Sequence, residues 1–139
     1  MTISLDYFLI TAAISMLISL SLAWLASFIL YAKVQTLQSI FPGTHQLIRA
    51  HIDFLLMAIL LVMSFYLCER LVISLPDSII LLTCFGALYN PLGFIMLAIK
   101  PEMANPVSFL EKLRVLLGFL PATIGYGYIM LAVLASLLS

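Results

Sequence analysis

Four long apolar runs, each nearly free of charge, decide what this chain can become. They lie at about 8–31, 47–67, 78–99 and 109–138 of the 139 residues. Crossing the ~30 Å hydrocarbon layer of a bilayer takes about 20 apolar residues in a helix, so each run is long enough to span. Inside lipid no solvent satisfies a backbone N–H or C=O, which restricts such runs to helices or a closed barrel. Runs of this length, without dyad alternation, read as helices. Composition agrees: 65% of residues are apolar and 9% charged, against roughly 25% charged in soluble domains. Six basic and six acidic side chains cancel, which leaves no cationic face for nucleic acid. The expected class is an all-α integral membrane protein, an antiparallel bundle of four transmembrane helices in a single domain covering residues 1–139.

The ends of the runs are marked by charge and by proline. Asp6 precedes the first run and Lys33 follows it; an acidic flank and a long apolar stretch favour a retained helix over a cleaved leader. Glu69 and Arg70 close the second run, Lys100, Pro101 and Glu102 the third, and Asn105 with Pro106 marks a turn before the fourth. Pro121 lies within the fourth run and predicts a kink. With four spans, Lys33, Arg49, Lys100, Lys112 and Arg114 gather on one side and only Arg70 on the other. The positive-inside bias then predicts both termini outside, as in a bacterial inner membrane. Small residues recur on three helices: Thr11, Ser15, Ser19, Ala23 and Ser27; Thr83, Gly86, Asn90 and Gly93; and Gly118, Ala122, Gly125 and Gly127. Such stripes let helix backbones approach closely and suit packing within one chain or a homo-oligomer.

Few side chains in the spans carry chemistry. His51 falls about one turn inside the second helix, in the run Arg49, Ala50, His51, Ile52, Asp53. Ionisable groups at membrane depth are costly and usually face a bundle interior. Asp53 follows Arg49 by four residues, the spacing of an ion pair along one helix face, whereas His51 and Asp53 point to different faces. Asn90 precedes Pro91, which frees a carbonyl one turn earlier. If the second and third spans are neighbours, His51 and Asn90 approach one cavity, with Tyr89, Tyr126 and Tyr128 as further donors. His45 is expected in a loop beside Pro42 and Gly43. Cys68 and Cys84 form no C-x-x-C pair and are expected as free, buried thiols. There is no HExxH, phosphate loop or nucleophile elbow.

One embedded imidazole is compatible with a five-coordinate haem, whose iron keeps one face open as a Lewis acid. Arg49, Lys112 and Arg114 at headgroup level suit the propionates. At these residues the chain resembles a known family. The stretch from Arg49 to Asp53, followed by Asn90, Pro91, Leu92, Gly93 and Phe94, resembles the small four-helix membrane isomerases typified by styrene oxide isomerase. Its Ala-His-apolar-acid start also resembles hydroxylaminobenzene mutase. The resemblance implies haem b held by His51, with Asn90 matching the family's asparagine of the third helix. It further implies Lewis-acid rearrangement of a small lipophilic epoxide or aryl hydroxylamine. Arg49 and Arg114 are the expected cofactor-binding side chains, and Asn90 and Asp53 the expected catalytic ones. Two positions depart from the family pattern: Met57 stands where it has an asparagine, and Ile95 where the isomerase has a tyrosine. The rival expectations are an assembly subunit, in which His51, Asp53 and Asn90 only lock helices, and a small transporter lined by Asp53.

Overall fold

The computed structural model describes residues 4–105 and 108–138. In chain order they form α1 (Asp6–Leu30), α2 (Gln35–Ile40), α3 (Thr44–Arg70), α4 (Asp77–Ile99), a 3-10 turn (Pro101–Ala104) and α5 (Phe109–Leu138). No strand occurs among the described residues. Four of the helices, of 23 to 30 residues, are long and apolar enough to cross a membrane. At 1.5 Å per residue they reach about 35–45 Å, more than the hydrocarbon thickness. The breaks follow local backbone chemistry. Lys33 (φ 50°), just beyond α1, and Val72 (φ 52°), just beyond α3, sit in the left-handed region that stops a right-handed helix. Pro76 immediately precedes α4, and Asp77 opens its first turn, where a negative charge meets the positive end of the helix dipole.

Two elements differ from expectation. The polar segment Gln35–Ile40 forms the short helix α2, which a search for apolar periodicity passes over. α3 begins at Thr44, so His45 stands in its first turn and not in a loop. Pro42 and Gly43 end the preceding segment and so free the chain to start a helix at the next residue. Pro106 lies outside the described residues.

Packing on α1 follows a seven-residue rhythm. Phe8, Ala12, Ser15, Ser19, Leu22, Ala26 and Ile29 are buried, alternating steps of four and three as in a coiled-coil seam. The facing residues of α3 include Leu47, Ala50, Phe54, Ala58 and Leu61. The expected small-residue stripe coincides with this seam at Ser15 and Ser19. It drifts off the seam by Ala23 and Ser27, which are half-buried, because a four-residue step outruns a 3.6-residue turn.

Two apolar clusters occupy the ends of the bundle. One gathers the start of α1 (Phe8, Ala12), the end of α3 (Leu61, Cys68), the start of α4 (Ile80, Cys84) and the end of α5 (Ile129, Val133). The other joins Leu22, Ala26 and Ile29 of α1 to Leu47, Ala50 and Phe54 of α3 and Ala98 of α4. Among the described residues no α5 side chain enters that second cluster, and residues 112–117 of α5 are exposed. The outward faces are apolar as well: Trp24 is 67%, Tyr66 64% and Leu131 69% exposed. Helices apolar on all sides belong in a protein core or in lipid.

The α4–α5 contact depends on missing side chains. A Cβ on Gly86 would lie 2.7 Å from Ala122 Cα, and one on Gly125 2.9 Å from Thr83 Cα. Thr83 therefore faces Gly125 and Gly86 faces Ala122, as the small-residue stripes predict. Gly93 and Gly127 do not take part, since a Cβ there would meet nothing within 4 Å. A third glycine, Gly43, donates its N–H to Ala98 O at 2.9 Å. Added bulk at Gly43 would come within 2.8 Å of Leu97 O, so the approach of this loop to the end of α4 requires glycine.

Candidate functional site

The α1–α3 seam holds His51. Ser19, fully buried, donates its Oγ–H to His51 O at 2.9 Å. His51 Nδ1 lies 2.9 Å from Ser19 O and 2.8 Å from Ser19 Oγ. A carbonyl oxygen only accepts, and the hydroxyl proton is already engaged, so Nδ1 must carry the hydrogen. In the neutral ring this leaves the lone pair on Nε2. That nitrogen makes no hydrogen bond among the described residues. The ring is half-buried, on the part of α3 that faces α1.

Two residues further along, α3 presents a different face. Asn90 of α4 donates from Nδ2 to Asp53 Oδ2 at 3.1 Å. The expected ion pair of Asp53 with Arg49 is not formed: Arg49 is exposed, and no ion pair occurs among the described residues. A planar amide carried on the neighbouring helix meets the carboxylate without drawing the long, exposed arginine chain inward. Thus His51 bonds to α1 while Asp53 bonds to α4. The spacing of two along α3 sends them apart, as the helical period requires.

A cavity of about 540 Å³ opens where α4 and α5 part. Its lining includes Asn90, Gly93, Leu97, Arg114, Gly118 and Phe119, with Met103 and Ala104 of the 3-10 turn. The α4–α5 seam closes at Thr83 with Gly125 and at Gly86 with Ala122. One turn later Asn90 Oδ1 is 3.8 Å from the place a Gly118 Cβ would take. A Cβ at Gly93 would meet none of the described residues within 4 Å. His51 does not line this cavity, so among the described residues this cavity is not the one that the sequence suggests His51 and Asn90 share. Arg114 lines the cavity and Arg49 does not.

The other candidates are simpler. Tyr89 lines the same cavity, Tyr128 is exposed, and the Tyr126 hydroxyl is buried with no hydrogen-bond partner. Ser15 Oγ and Ser64 Oγ are likewise buried and unpartnered. Cys68 and Cys84 are free and buried, as expected. The side chain of Glu111 lies outside the described residues. Among those described, no three His, Cys, Asp or Glu side chains converge as metal ligands. A porphyrin brings four nitrogens of its own and needs from the protein a single axial donor, which His51 Nε2 fits. Ligating histidines commonly donate their other ring N–H to a carbonyl, the arrangement that Ser19 O provides. Sequence reasoning marked Ser19 as a small packing residue and missed its bond to His51; Ser19 is one of five Ser and Thr hydroxyls along α1, and nothing in the residues singles it out. No family model, curated protein or solved structure matches the chain.

Proposed function

We propose that the four long helices form an antiparallel bundle embedded in a bilayer, with both termini on the outer face. On this reading the protein is a haem-dependent isomerase in which His51 would hold the haem. The two apolar clusters support the topology, since each unites the beginning of one helix with the end of the next. One observation carries the functional reading: His51 Nδ1 is committed to Ser19 O at 2.9 Å, which leaves Nε2 as the only ring nitrogen able to bind a metal.

His51 Nε2 would hold the haem, and a ferric haem b would there supply Lewis-acid chemistry suited to the C–O bond of an epoxide or the N–O bond of an aryl hydroxylamine, with no external electron donor. The chain's residues do the rest. Ser19 fixes the tautomer and the plane of the imidazole. The Asp53–Asn90 bond sets α3 against α4 and acts as a positioning element. The apolar exterior admits a small lipophilic substrate directly from the membrane. As a test, the purified, haem-loaded protein is incubated with an aryl epoxide and, separately, with an aryl hydroxylamine. Rearranged aldehyde or aminophenol supports the reading; unchanged substrate in both reactions overturns the reaction assigned.

A second reading rests on a different observation. The polar side chains His51, Asp53 and Asn90 all hydrogen-bond across helices, as they would in a small assembly subunit. That protein would be colourless and would copurify with a larger membrane partner.

A further inference from the structure

We infer that the cavity between α4 and α5 is a binding site for a single-chain amphiphile with a carboxylate head, a long-chain fatty acid. This inference is independent of the haem reading, because His51 does not line the cavity. Volume sets the length of the ligand. At roughly 30 Å³ for a water-sized unit such as a methylene, 540 Å³ holds about eighteen of them, enough for one acyl chain and too little for a two-chain phospholipid. The lining sets its character. Leu92, Phe94, Ile95, Met96, Val115 and Phe119 offer only apolar surface.

Charge sets the head group. Arg114 is the one charged side chain lining the cavity among the described residues; it is exposed at the rim, and no described side chain forms an ion pair with it. Its planar fork matches a carboxylate with two parallel hydrogen bonds. Gly118, one turn along α5, faces Asn90 Oδ1. The Asn90 amide gives one N–H to Asp53 and retains a second for the ligand. Asp53 lies behind Asn90 and does not line the cavity, so it makes no direct contact with the head group. Gly93 keeps one wall open, since a side chain there would enter the cavity without meeting protein.

The experiment uses the full chain in detergent, with radiolabelled oleate as the probe and oleyl alcohol as its uncharged counterpart. Oleate is expected to bind saturably, one per chain. Arg114→Gln should weaken it by about tenfold, the loss of one charge-assisted pair, and leave oleyl alcohol unaffected. Gly93→Leu should abolish binding of both, while His51→Ala should change neither. Oleate binding unaltered by Arg114→Gln, or by Gly93→Leu, would overturn the inference. So would displacement of oleate by an equal concentration of phosphatidylglycerol, which would mark a site for two-chain lipid. Loss of haem in His51→Ala with oleate binding intact keeps this inference separate from the isomerase reading.

Discussion

Ser19 and His51 bond to each other twice across the α1–α3 seam, hydroxyl to backbone carbonyl at 2.9 Å and ring Nδ1 to backbone carbonyl at 2.9 Å. Each residue is both donor and acceptor. The register of the two helices and the tautomer of the imidazole are therefore fixed by one contact. Replacing Ser19 by Ala removes the hydroxyl and keeps the carbonyl that holds Nδ1. The variant should lose about 1 kcal/mol of stability, the net worth of one hydrogen bond, while the His51 tautomer persists. Thermal unfolding in detergent measures the first, and the ring ¹⁵N shifts of His51 the second.

Asp53 and Asn90 should be coupled in the same sense. Asn90→Leu strands a half-buried carboxylate and is expected to cost about 1–3 kcal/mol, whereas Asp53→Asn keeps an acceptor in place and costs less. A double-mutant cycle with alanine at both positions should give a coupling of at least about 0.5 kcal/mol. Strict additivity would show that the bond does not hold α3 against α4.

How much of this was legible in the residues depends on which force decided each feature. The four long helices followed from hydropathy, and the free, buried Cys68 and Cys84 from residue type; Gly86 was legible as part of a small-residue stripe, but its partner on α5 was not. His45 was placed in a loop because Pro42 and Gly43 look like turn residues, although they also permit a helix to begin at Thr44. The partner of Asp53 could not be read at all. Arg49 is near in sequence and Asn90 is near in space, and only the packing of α3 on α4 selects between them. The same packing separates His51 from the Asn90 cavity.

The glycines of the α4–α5 seam should behave unequally. Gly86→Leu and Gly125→Val force side chains into the backbone of the opposite helix, with an expected cost of about 1–3 kcal/mol or more from overpacking. Gly127→Ala meets nothing within 4 Å and should be neutral or slightly stabilising, since alanine favours helix over glycine by about 1 kcal/mol. Unfolding curves of the three variants, compared at one detergent concentration, check the ranking.

Val72 is 90% exposed and holds φ at 52°, a conformation that a β-branched residue rarely adopts. Val72→Gly should relieve about 1–2 kcal/mol of steric cost, set against the greater freedom that glycine has when unfolded. The expected outcome is a small rise in the unfolding midpoint, measurable by circular dichroism.

The central claim is that His51 Nε2 binds a haem iron. Its most direct measurement is the absorption spectrum of the purified protein beside that of His51→Ala. The account predicts a Soret band in the first that is lost or displaced in the second. A colourless wild-type protein, or a Soret band identical in the two, would contradict it.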